Sequence, residues 1–213
     1  MKESLDPLPV FPLPGLVALP GTEVGFHFFE PRYRAMARAV LDGPRALLIA
    51  GLEEGSDPRA DDAALLPIAG LGRVVAHEDN ADGTIDVLFA VEERVRLEEV
   101  PREGLLYRRA RCVVVEDVIR SGPTLDVTAA SLLACARELA AVERAMGGAG
   151  GITMLGTPGV IANRLADRYF RRDPALRRRV LETVDVLARA ELVLERIAQL
   201  LVVVRRAQGG LVS

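Results

Sequence analysis

Residues Pro20–Pro44 read P-G-T-E-V-G-F-H-F-F-E-P-R-Y-R-A-M-A-R-A-V-L-D-G-P. This stretch runs from a short strand straight into a punctuated helix. Proline is well placed at the first helical position, where its missing N–H would have no partner, so Pro31 marks a start. The residue before a proline is pushed towards extended backbone, which keeps Glu30 outside the helix. Tyr33, Met36, Ala37, Val40 and Leu41 recur at helical spacing and form one apolar stripe, while Arg32, Arg34 and Arg38 fall elsewhere. Gly43-Pro44 is a stop signal. The stretch predicts a helix docked on a sheet, with Tyr33, Met36, Val40 and Leu41 in the core.

Candidate strands lie on both sides of this helix in the sequence. Val10-Phe11 is an apolar segment cut by prolines, which confine it to an edge or to short pieces. Glu23–Phe29 carries an aromatic run that could be buried on both faces. Arg45–Leu52 reads as a buried strand and Leu71–His77 as another. Glu53–Ala64 is acidic and turn-rich, as expected of an exposed loop. Asn80-Ala-Asp-Gly83 is a hairpin signal. Ile85, Val87, Phe89 and Val91 then alternate, and Arg94, Arg96 and Glu98 alternate with Val95 and Leu97 beyond them. Tyr107–Glu116 is the last expected strand.

The period changes near Ser121-Gly-Pro123. Leu132, Leu133, Ala136, Leu139 and Ala140 make a helical stripe, and Gly147–Gly151 breaks it. Thr157-Pro158 and Asp173-Pro174 are two further helix starts. Asp185 opens a last helix lined by Leu187, Leu194, Ile197, Leu201 and Val204. Strands followed by helices imply an α+β class, divided into a β-rich part over 1–118 and a helical part over 119–213.

Composition narrows the chemistry. The chain has 213 residues, half of them hydrophobic, and a formal net charge of −3. That charge supplies no strong field for nucleic acid, and rings are too few for base stacking. The N-terminus, M-K-E-S-L-D-P-L-P-V, lacks the apolar core of a signal peptide. No run approaches the roughly 20 apolar residues of a membrane span, so the expected location is cytoplasmic. Cys112 and Cys135 give no disulfide framework and read as buried thiols.

Lys2 is the only lysine. A phosphate-binding loop needs a lysine after its glycines, so the glycines around Gly147–Gly151 and Gly156 do not make one. A Ser–Lys dyad fails for the same reason, and no serine lies in a G-x-S-x-G turn. His27 reads as a core or edge histidine and His77 as a solvated one. No H-x-x-x-H or C-x-x-C spacing suggests a metal. Arg108, Arg109 and Arg111, and Arg168 to Arg179, read as solvated faces paired with acids. The residues therefore predict no catalytic group, no cofactor and no metal.

The order of several segments carries a resemblance. L-P-V-F-P-L-P and A-L-P-G-T, then F-H-F-F-E-P-R-Y-R-A-M, resemble the start of the Lon substrate-binding (LON) domain. The likeness continues through I-A-G-L-G-R-V-V from Ile68, D-G-T-I-D-V-L-F-A-V-E-E-R-V-R-L from Asp82, and A-D-R-Y-F-R-R-D-P-A-L-R-R-R-V-L-E-T-V-D-V from Ala166. It is nearest to stand-alone bacterial members and to the related domain of cereblon. The resemblance implies a PUA-like β pseudo-barrel with one helix, followed by a helical bundle. In full-length Lon this domain positions protein substrates ahead of an ATPase and a Ser–Lys peptidase, and neither follows here, so the expectation is a non-enzyme. Gly25 departs from the family pattern and could loosen its strand or admit a bulge.

The expected function is non-catalytic protein binding, as an adaptor or substrate-recognition module in proteostasis. Its partners would be unfolded or extended protein segments or a partner protein, with no membrane. The alternative is RNA or nucleotide-derivative binding, which PUA-like barrels host elsewhere. Leu16, Val17, Leu19, Met154 and Leu155 are the candidate binding residues, being apolar in Gly/Pro-rich context. The competing expectation is that they plug the barrel end or bury against the helical bundle.

Overall fold

In the computed structural model the described residues are 6–57, 60, 63–148, 153 and 155–209. The chain divides into two compact units, Met1–Glu116 and Asp117–Ser213.

The first unit holds β1 (Leu8–Leu13), β2 (Glu23–Phe28), α1 (Pro31–Asp42), β3 (Ala46–Gly51), β4 (Ile68–Asp79), β5 (Ile85–Val100) and β6 (Arg108–Val114). The strand order is β2-β5-β4-β3-β1-β6, with β6 also pairing back to β5. Five strands thus close a ring, and β2 stands outside it as an edge. β1 runs parallel to β3; the other pairings are antiparallel. Gly83, at φ +82°, supplies the left-handed backbone that turns β4 into β5.

Two apolar clusters occupy opposite faces of this sheet. Phe11, Leu47 and Ile49 pack with Phe28, Tyr33, Met36, Ala37, Val40, Ile85, Val87, Phe89 and Val91. Their neighbours in the strands, Val10, Ala46, Leu48 and Ala50, pack instead with Ala69, Leu71, Val95, Ala110 and Cys112. Strand periodicity places alternate residues on alternate faces, yet Val91 and Val95 belong to different clusters. The reason is a register shift: Leu71 faces Glu93 while Gly72 faces Val91, which leaves Glu92 unpaired as a bulge. β5 therefore serves one cluster before Glu92 and the other after it.

Helix α1 begins at Pro31 and buries Tyr33, Met36, Ala37 and Val40 as expected, whereas Leu41 is only half-buried against the same cluster. The aromatic run of β2 is not buried on both faces. Phe28 is buried, Phe26 is partly so, and Phe29 is 62% exposed. The β2–β5 ladder runs unbroken past Gly25, with no bulge. The loop after β3 is not wholly exposed either: Ala63 is buried, and its carbonyl accepts from Arg108 Nη1 at 2.6 Å.

The second unit holds α2 (Pro123–Ala145), α3 (Pro158–Tyr169), α4 (Pro174–Glu182) and α5 (Val186–Gly209). The predicted caps form: Thr157 Oγ1 accepts from Val160 N at 3.4 Å, and Asp173 Oδ1 from Leu176 N at 2.9 Å. α5 packs against α2, α3 and α4. Its buried face is Val186, Ala190, Val193, Ile197 and Leu201, so Leu187, Leu194 and Val204 lie at its margins. Arg189 sits fully buried on that face. Of the glycine-rich break after α2, positions 149–152 lie outside the described residues.

Candidate functional site

The residues expected to bind have unlike positions. Val17 and Leu19 are buried, at 5% and 0% exposure, and Leu16 is half-buried against the α1 cluster. Gly70 explains the burial. A Cβ there would stand 2.7 Å from the Ala18 carbonyl oxygen, so only glycine lets the 16–19 segment lie this close to β4. Leu155 is 77% exposed, and its carbonyl accepts from Arg164. Met154 lies outside the described residues.

A different surface has the shape of a site. β2, β5 and β4 present their outward side chains in three rows, set by the register. Glu23, Ala90 and Arg73 form the first row. Gly25, Leu88 and Ala76 form the second. His27, Asp86 and Glu78 form the third. The middle row has only small or aliphatic side chains, so it is a trough between polar rims. Gly25, Ala76, Leu88, Asp86 and His77 line a groove of about 450 Å³ here.

The groove reaches the open edge of the sheet. Among the described residues, Glu23–Phe28 makes backbone hydrogen bonds to β5 alone. Edge strands are usually blunted by proline, lysine or a bulge, and β2 carries none of these. Phe29, at the end of the edge, stacks on His27 with centroids 6.2 Å apart.

The third row is held in place by hydrogen bonds. His27 Nδ1 lies 2.8 Å from Asp86 Oδ1, and Asn80 Nδ2 donates to Asp86 Oδ2 at 2.6 Å. The Asn80 amide and then the His27 imidazole hold the Asp86 carboxyl below the usual range. His27 is thus an exposed edge residue, and His77 is exposed as well. Glu78 makes no ion pair among the described residues, while Asp79 beside it takes Arg38 at 2.5 Å.

Elsewhere several arginines are engaged. Arg108 forks onto Glu99, Arg109 reaches Glu103 at 2.7 Å, Arg168 reaches Glu143 at 2.6 Å, and Arg177 reaches Asp167 at 2.6 Å. Among the described residues no group of His, Cys, Asp and Glu is arranged to hold a metal, and no helix is long and apolar enough to cross a membrane. Sequence reasoning did not find the groove. The signal was present in the pairing of G-F-H with D-V-L and A-H-E, but it needs the register to be seen.

Comparison with known proteins agrees with this architecture. The family model of the ATP-dependent protease La (LON) substrate-binding domain matches residues 7–199. The Lon protease of Paraburkholderia phytofirmans is 27% identical over 209 residues, 95% of this chain. The chain spans 25% of the length of that curated relative. Among solved structures, the N-terminal domain of Mycobacterium avium complex Lon protease superposes with TM-score 0.70 at 18% identity, covering 91% of this chain and 98% of that one. A Lon N-terminal domain protein from Xanthomonas campestris gives 0.63 at 19% identity, covering 90% and 98%.

Proposed function

Since this chain belongs to the LON substrate-binding domain family, we propose that it is a non-catalytic recognition domain that takes up extended polypeptide segments at the β2 edge, as a substrate-recognition or adaptor module in proteostasis. One observation carries the reading: a six-residue strand, unprotected and paired on one side only, borders a groove with an apolar floor. Strand addition would use this geometry directly. The incoming backbone completes the ladder, and alternate side chains fall over the rows beside Gly25 and His27. The loop residues Val17 and Leu19 support the sheet from within, and Leu155 is a separate exposed apolar residue whose part in binding is open to the same test.

The test is fluorescence anisotropy of the full chain with a labelled, reduced and carboxymethylated model protein against its native form. Binding of the unfolded form only is expected. A labelled extended peptide should compete, and the same peptide N-methylated on alternate residues should not, because methylation removes the ladder donors. Equal competition by both peptides would rule out strand addition. Salt-sensitive binding of single-stranded RNA in place of peptide would favour the PUA-like alternative.

A further inference from the structure

We infer that the β2 groove selects segments in which a lysine or arginine follows the extended backbone across the sheet, its aliphatic stem on the trough and its cation against the acidic row. This rests on the β2 edge being the binding surface. The argument is one of charge complementarity. Gly25 is exposed, and a Cβ placed on it would touch only Leu88 Cδ1, at 4.0 Å, so the start of the trough is open to an incoming side chain. Leu88 and Ala76 continue the trough away from the edge. Long basic side chains bury their methylene stems on such apolar floors while keeping the charged head in water.

The head would reach Asp86 on β5, one row along, while Glu78 on β4, one strand further from the edge, adds its negative charge from a greater distance. Asp86 is about half exposed and each of its oxygens has one partner, which leaves lone pairs free to accept. Glu78 is exposed and has no ion pair among the described residues. Two arginines bordering this face are already held: Arg38 by Asp79 and Arg73 by Glu92. The row itself carries two carboxylates, Asp86 and Glu78. An acidic side chain in the same position would face Asp86, with the charge of Glu78 behind it.

The experiment uses three labelled decapeptides of Val, Thr and Ser that differ only at a central Lys, Gln or Glu, with the full chain at low salt. The Lys peptide should bind about fivefold more tightly than the Glu peptide, with Gln between, and the difference should shrink at high salt. Glu78→Lys should narrow the difference. Glu78→Gln with Asp86→Asn should abolish it, with the Gln peptide unchanged and the melting temperature checked for each variant. Equal binding of the three peptides, combined with loss of all three in Gly25→Ile, would overturn the basic preference and leave the edge reading standing. Binding insensitive to Gly25→Ile, or no binding of any peptide, would overturn both.

Discussion

The Arg189 guanidinium, with no exposed surface, forks onto the carboxylate of Asp117, 72 residues earlier in the chain. Nη1 donates to Asp117 Oδ1 at 2.9 Å and to the Thr183 carbonyl at 3.1 Å. Removing one partner of such a pair leaves a charge buried without compensation. Asp117→Ala should therefore lower stability by about 3 kcal/mol, the lower end of the range because Asp117 is itself a third exposed. Arg189→Met with Asp117→Leu should recover most of that loss. Urea unfolding followed by helical circular dichroism checks both; a double variant as weak as the single one would show that packing, not charge, sets the cost.

Gly159 touches the same pair. A Cβ there would stand 2.2 Å from Arg189 Nη2 and 3.1 Å from Asp117 Oδ2. Gly159→Ala should cost about 2 kcal/mol by forcing the guanidinium out of line. A melting temperature equal to that of the parent would count against it.

Leu19 and Leu155 should respond in opposite ways to polar replacement. Leu19 is fully buried, so Leu19→Asn removes apolar contacts and buries an amide, at about 3 kcal/mol or more. Leu155→Ser changes a largely exposed side chain and should stay within about 0.5 kcal/mol. Denaturation midpoints of the two variants decide it.

Burial pushes both thiols above their usual range, Cys112 and Cys135 alike. Thiolate is the reactive form. At mildly alkaline pH both should react slowly with a maleimide in the folded protein and rapidly after denaturation. Cys112 is 4% exposed and Cys135 only half-buried, so Cys112 should be the slower. Mass spectrometry of timed, quenched samples gives the order.

Three carboxylates at the turn between β4 and β5 are held below the ordinary Asp range: Asp79 by Arg38, Asp82 by Thr84, and Asp86 by Asn80 and His27. A depressed folded-state pKa contributes stability above the unfolded value, about 3.9, and that contribution is lost as pH falls through the folded value. These groups should therefore leave stability unchanged through neutral pH and weaken it only in acid. Carboxyl-carbon NMR titration should show all three below the ordinary range, and Arg38→Ala should return Asp79 alone towards it.

Much of this architecture is written locally. Pro31, Gly43 and the stripe of Tyr33, Met36 and Val40 define α1 without reference to the rest of the chain, and the Thr157 and Asp173 caps do the same for α3 and α4. What escapes sequence reading is whatever depends on a distant partner. Val17 and Leu19 read as loop residues because nothing nearby reveals that Gly70 has cleared space for Ala18. Arg189 has a spacing of three from Val186 and four from Val193, which puts it on the buried face of α5. Its partner is invisible from the helix alone. The groove at Gly25 is hidden for the same reason, since its floor is assembled from three strands.

Glu92 has a consequence beyond its side chain, which is exposed and pairs with Arg73. It works like a frameshift in a two-letter code. Before it, one parity of β5 means the α1 side of the sheet; after it, the same parity means the other side. Replacing Glu92 leaves the frame intact and should be nearly free, whereas deleting it would put the whole message downstream, from Val95 to Val100, out of phase with the residues it must meet. In this strand the presence of a residue carries more information than its identity.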